Sequence, residues 1–170
     1  MPRDHSFRAV VLLLGLCLLL VGCGFKPRGF YAVPDALQEA TLVTMSDRPS
    51  EIRPMLLRAM QVNGIELRDN APIILEIHEE RHSRRSVSLR GRARGSQVAE
   101  YELRSEVFFS VRQRDGDALL IAPRSIFTER VYAYDGDNIT ASEAQEVVLR
   151  QQIYQDLAQQ IVRQYVSLKP

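Results

Sequence analysis

Three hydrophobic patterns of different period run along the chain. The first is a block: Ala9 to Val21 is almost wholly apolar, rich in leucine, and stops at Gly22-Cys23. The second repeats every 3.6 residues, which puts apolar side chains on one face of a helix. It appears at Ile52, Met55, Leu56, Ala59 and Met60, and again at Val147, Val148, Tyr154, Leu157, Ala158, Ile161 and Tyr165. The third is alternation. From Tyr101 the odd positions read Tyr101, Leu103, Ser105, Val107, Phe109 and Val111; the even ones read Glu102, Arg104, Glu106, Phe108, Ser110 and Arg112. Alternation sends one side of a strand to the core and the other mostly to solvent.

Local chemistry bounds these elements. Asp47-Arg48-Pro49-Ser50 supplies a helix start, Pro54 is tolerable in a first turn, and Asn63-Gly64 is a stop. For the second helix Thr140-Ala141-Ser142-Glu143 fits a capping box, with Ser142 as an alternative cap, and the helix runs to about Val166. Its far face carries Arg150, Gln152, Gln155, Gln159, Gln160 and Arg163. Short β-prone runs occupy Ala40–Met45 and Ile73–His78. After the turn Asp115-Gly116-Asp117, the strand pairing with Tyr101–Arg112 is either Leu119–Ile121 or Ser125–Tyr134, divided by Pro123. The order is β-α-β-β-β-α. A helix between two strands suggests a parallel crossover, and the later meander suggests antiparallel pairing. The expected fold is α+β: a four-stranded mixed sheet with two helices packed on one face. The other face is left to water or a partner.

The apolar block is a sorting signal. Arg3 and Arg8 precede it, giving a charged region followed by a hydrophobic one. As a helix it would reach only ~20 Å, short of a ~30 Å hydrocarbon core. Leu20-Val21-Gly22-Cys23 matches the bacterial lipobox, in which a small residue admits the peptidase and the thiol accepts a diacylglyceryl group. Each buried methylene of such lipid contributes ~0.8 kcal/mol, so two or three chains make a lasting anchor. Gly24, where Asp would signal inner-membrane retention, favours the outer membrane. The chain thus divides into a cleaved lipoprotein signal, 1–22, a lipidated tether, 23–36, and one domain, 37–168. Cys17 leaves with the signal and Cys23 carries lipid, so the domain has no disulfide and no cysteine metal site.

Charge adds one feature. Lys and Arg number 22 against 21 Asp and Glu, so global charge favours no partner. Locally, "RHSRRSVSLRGRARG" places Arg81, Arg84, Arg85, Arg90, Arg92 and Arg94 in a stretch with no acid and no lysine. The planar guanidinium fork suits phosphate or carboxylate. The stretch reads as an anion-binding loop or as a solvated loop whose charges discourage edge pairing. Nucleic acid does not fit a secreted, lipid-anchored protein; an anionic lipid head group does. Candidate catalysis is thin. His78 and His82 have i, i+4 spacing, but on a strand they would share a face ~13 Å apart, and Glu79 and Glu80 complete no metal set. G-x-S-x-G and P-loop patterns are absent, as is a free cysteine nucleophile. No catalytic residue, metal or cofactor is expected.

Several segments together resemble one family. "CGFKPRG" with the later Pro34, "SEIRPMLLRAMQVNGIEL", "GSQVAEYELR" and "IYQDLAQQIVRQY" are similar, in order, to the LptE family of lipopolysaccharide-assembly lipoproteins, also called rare lipoprotein B. The resemblance implies two helices on a four-stranded sheet. It implies an outer-membrane lipoprotein that plugs the LptD β-barrel, helps assemble it, and binds lipopolysaccharide. Arg94 lies nearest the family's basic position, followed by Arg92 and Arg90, then Arg85, Arg84 and Arg81. Two other readings are an auxiliary lipoprotein of a different envelope lipid transporter and a lipid-anchored hydrolase.

Cys23→Ala should abolish acylation and leave unprocessed precursor while the domain still folds. Palmitate labelling and the gel mobility of the full chain test this directly; a labelled, processed variant would refute the lipobox reading.

Overall fold

The computed structural model describes residues 33–46, 48–92, 95–116 and 118–169. The signal, Cys23 and Arg94 lie outside the described residues, as does the side chain of Arg92. A short turn of 3-10 helix, Asp35–Leu37, leads into β1, Glu39–Thr44. Then follow α1, Arg53–Val62; β2, Glu66–Leu67; β3, Ile73–Arg92; β4, Gly95–Gln113; β5, Leu119–Ala133; and α2, Ile139–Val166.

The sheet order is β2-β1-β3-β4-β5. β1 runs parallel to both β2 and β3, with Leu42 opposite Leu75. The crossover through α1 is therefore parallel, as the element order suggests, and β3, β4 and β5 form an antiparallel meander. The fold is α+β with a mixed sheet, but the sheet has five strands where the sequence pattern gives four. The extra one, β2, is two residues long, too short for any period to register. It forms because the chain leaves Gly64 at φ 76° and buries Ile65, which carries Glu66 and Leu67 alongside Glu39 and Ala40.

β5 also differs from the expectation of two pieces divided by Pro123. It is a single strand through that proline. The register shifts between Phe109 and Val111, where their partners are Arg124 and Ile121, so the ladder skips the proline. β5 lies at the sheet edge, where a missing N–H is tolerated.

Both helices contribute to one core. Leu56 and Met60 of α1, and Ile153, Leu157, Ala158, Ile161 and Tyr165 of α2, pack with Leu75, Ile77, Leu103, Val107, Phe109 and Val111 of the sheet. The odd positions of β4 therefore face inward, as their alternation requires. Val147 and Val148 do not join the buried stripe; they are 61% and 53% exposed. The reason lies underneath: the first half of α2 meets Arg84 and Tyr132, which bond Glu146 between the two valines' turn and the sheet.

The caps explain the helix ends. Asn138, one position before α2, accepts from Ala141 N at 3.3 Å, displacing both Thr140 and Ser142 from that role. Ser142 instead turns back to Asp135, accepting from its N and donating to its O. At α1 the Ser50 hydroxyl accepts from Arg53 N, and Glu80 reaches across from β3 to accept from Glu51 N and Ile52 N at 3.0 and 3.1 Å. A carboxylate there satisfies free N–H groups and complements the helix dipole.

Leu157→Ala should lower unfolding free energy by roughly 2–5 kcal/mol, because Leu157 is fully buried between helix and sheet. Urea denaturation should show this as a lower midpoint; an unchanged midpoint would place α2 off the core.

Candidate functional site

The arginine-rich stretch is a strand, not a loop. Residues 81–92 complete β3, and β4 begins at Gly95, so the arginines line a long two-stranded ladder. Sequence periodicity misses this because alternation reports a buried face, and outside the core both faces meet water. Beyond Glu100, which pairs with the last residue of β5, the ladder projects as a ribbon of two strands.

A bulge determines which way β3 side chains face. Ile77 pairs with Phe109 but Glu79 pairs with Phe108, so His78 is an extra residue. One added residue exchanges the two faces of a strand. His78 contacts Ser110 Oγ at 2.8 Å and Met45 Sδ at 3.2 Å. His82 contacts Ser105 Oγ at 3.0 Å. Ser110 and Ser105 lie on opposite faces of β4, so the two histidines do not share a face, contrary to simple strand spacing. Among the described residues, no three potential metal ligands converge.

The arginines fall into two groups. Arg81 holds Glu79 with two hydrogen bonds, 2.7 and 2.9 Å, and lies over the Phe108 ring. Arg85 grips Glu102 of β4 in the same forked manner, at 2.6 and 3.1 Å. Arg84 donates to Glu146 of α2 at 2.8 Å and covers the Tyr101 ring. These three are already matched by protein carboxylates. Arg90 is exposed and has no partner among the described residues, and Leu89 and Val87 beside it are 65% and 41% exposed. Arg92 ends β3 opposite Gly95. The projecting end therefore combines unspent positive charge with apolar side chains, a pairing that suits an amphipathic anion.

The electrostatics follow the pairing. Hydrogen bonds from Arg81 and Arg85 hold the Glu79 and Glu102 carboxyls below the ordinary range. Burial pushes the Glu146 carboxyl up, but hydrogen bonds from Tyr132 and Arg84 outweigh it and leave it lowered. Burial and the bonded Glu146 push the Tyr132 phenol up to about 12. Shielding from water, then the Arg150 charge, lower the His82 imidazole. Glu146 had no signal in the sequence: its partner Arg84 is 62 residues away.

This fold is similar to that of solved bacterial lipoproteins. The chain is similar to a minor lipoprotein from Acinetobacter baumannii, at 26% identity and a TM-score of 0.62, over 77% of this chain and 92% of that one. It shares its fold with rare lipoprotein B from Shewanella oneidensis, at 24% identity and a TM-score of 0.63, over 76% and 94%. In sequence it is 31% identical to the LPS-assembly lipoprotein LptE of Yersinia pestis (strain Pestoides F) over 166 residues, 95% of this chain and 77% of that protein. The family model LptE, Lipopolysaccharide-assembly, matches residues 37–165. The chain belongs to the LptE lipopolysaccharide-assembly family, whose members are assembly components and not enzymes.

The lowered His82 pKa makes a signed prediction. Unfolded, the imidazole titrates near its ordinary value of about 6.5. Its contribution to stability is complete above that pH and is lost as pH falls toward the lower folded value. Wild type should therefore lose more stability than His82→Gln between about pH 7.5 and about pH 5.5. Urea midpoints at the two pH values test it; equal losses would show that His82 does not couple to folding.

Proposed function

We propose that this chain is the lipoprotein subunit of a lipopolysaccharide translocon. A signal at 1–22 directs export, lipid on Cys23 anchors the protein to the outer membrane, 23–36 form a tether, and the single domain of 37–168 does the work. That domain seats in an LptD-like β-barrel, assists the barrel's assembly, and binds lipopolysaccharide. Family membership and the name of the Yersinia relative support the process. The structural observation that carries the binding reading is the ribbon, which exposes Arg90 and, on the same strand, Leu89 and Val87. Guanidinium groups suit the phosphates of lipopolysaccharide, and the apolar neighbours suit its acyl chains.

The sheet face turned away from the helices supports the barrel reading. It presents the paired charges Arg81–Glu79, Arg85–Glu102 and Arg104–Glu129. A hydrated, nearly neutral charge lattice fits the polar interior wall of an outer-membrane barrel.

Changing Arg90, Arg92 and Arg94 together to Ala should weaken lipopolysaccharide binding by about tenfold or more and flatten its dependence on salt. Binding of purified lipopolysaccharide to the full chain at two ionic strengths measures both. Unaltered affinity and salt dependence would remove the ribbon end from lipopolysaccharide binding. Affinity purification from native membranes in mild detergent should recover a large β-barrel in roughly equal amount; recovery of other lipid-transport subunits without a barrel would favour a different transporter.

A further inference from the structure

One carboxylate joins three elements at the base of the ribbon. Glu146 Oε2 accepts from Arg84 Nη1 of β3 and from Tyr132 OH of β5, each at 2.8 Å; Oε1 accepts from Arg150 Nη2 of α2 at 3.3 Å. The side chain of Glu146 is only 13% exposed. At this level three structural changes coincide. β5 ends, with Ala133 opposite Glu100 and Tyr134 N donating to Ala99 O at 2.8 Å. β3 gains an extra residue, Val87, between the pairs Ser86–Tyr101 and Ser88–Glu100. β4 gains one as well, Ala99, between Glu100 and Val98. Bulges interrupt the ladder and bend a strand. Two of them, one in each strand, break the ladder where the third strand stops.

Near this break α2 has little core beneath it: Val147 and Val148 are exposed, and Leu149 is only partly buried against the core. Polar bonds fasten it, and Glu146 is where they meet. We propose that Glu146 is a positioning residue: it latches the base of the ribbon to α2 and β5, sets the ribbon's tilt, and so places Arg90 for anion binding without touching the anion. The last part rests on the reading of the ribbon end as the lipopolysaccharide site. The latch itself does not.

Charge makes the test decisive. Glu146→Gln removes a negative charge and releases Arg84. Electrostatics alone would then strengthen binding of an anion, whereas loss of positioning weakens it. The experiment uses the full chain in mild detergent with purified lipopolysaccharide, and reads amide hydrogen exchange in parallel. Expected for Glu146→Gln is exchange about tenfold faster across ribbon residues 87–92 and 95–99, unchanged exchange in the core segment 103–111, and affinity about fivefold weaker. Faster ribbon exchange with unaltered affinity would uphold the latch and overturn the ribbon end as the binding site. Unchanged ribbon exchange, with affinity equal or tighter, would overturn the latch. Should Glu146→Gln fail to fold, Tyr132→Phe removes one donor with no change of charge. It should move ribbon exchange and affinity in the same directions by less, and wild-type values in both would overturn the proposal.

Discussion

The apolar seam between the second half of α2 and the sheet carries the rest of the structure. Ile153, Leu157, Ile161 and Tyr165 descend onto Leu103, Val107, Phe109 and Val111, and burying each large side chain is worth roughly 1.5–3 kcal/mol. Because that seam uses the odd positions of β4, it determines which sheet face is inside and which carries the charge lattice. It also ties the end of α2 to the entry of β1: Tyr165 OH donates to Leu37 O at 3.0 Å, beside the turn that enters β1. α1 needs the same seam, since its N-terminus is capped by Glu80 from a strand that the core holds in register.

Beyond the seam the forces change kind. On the approach to the ribbon polar contacts take over, and exposed ion pairs of this kind are each worth about 0–1 kcal/mol. Such pairs add little stability. They do match Arg81, Arg84 and Arg85 to particular carboxylates, which keeps the ladder in one register and leaves the charge of Arg90 unspent at the end. A cluster of arginines that looks uniform in one dimension is thus divided into supports and a candidate contact.

What local sequence determined is what local physics repeats. The 3.6-residue stripes placed both helices, the alternation from Tyr101 placed the inward face of β4, and strand-helix-strand order implied the parallel pairing of β1 with β3. The ordered family segments pointed to the correct family. Tertiary structure decided the rest, for reasons of distance and count. One extra residue at His78 put the two histidines on opposite faces, and a bulge has no periodic signal. β5 runs through Pro123 only because it lies at an edge. Arg84 became a support only because a helix begun 55 residues later returns Glu146 to its side, a pairing of |i−j| = 62 that no local window contains. Side-chain type and period are properties of neighbours in sequence; a charge's partner is a property of the fold.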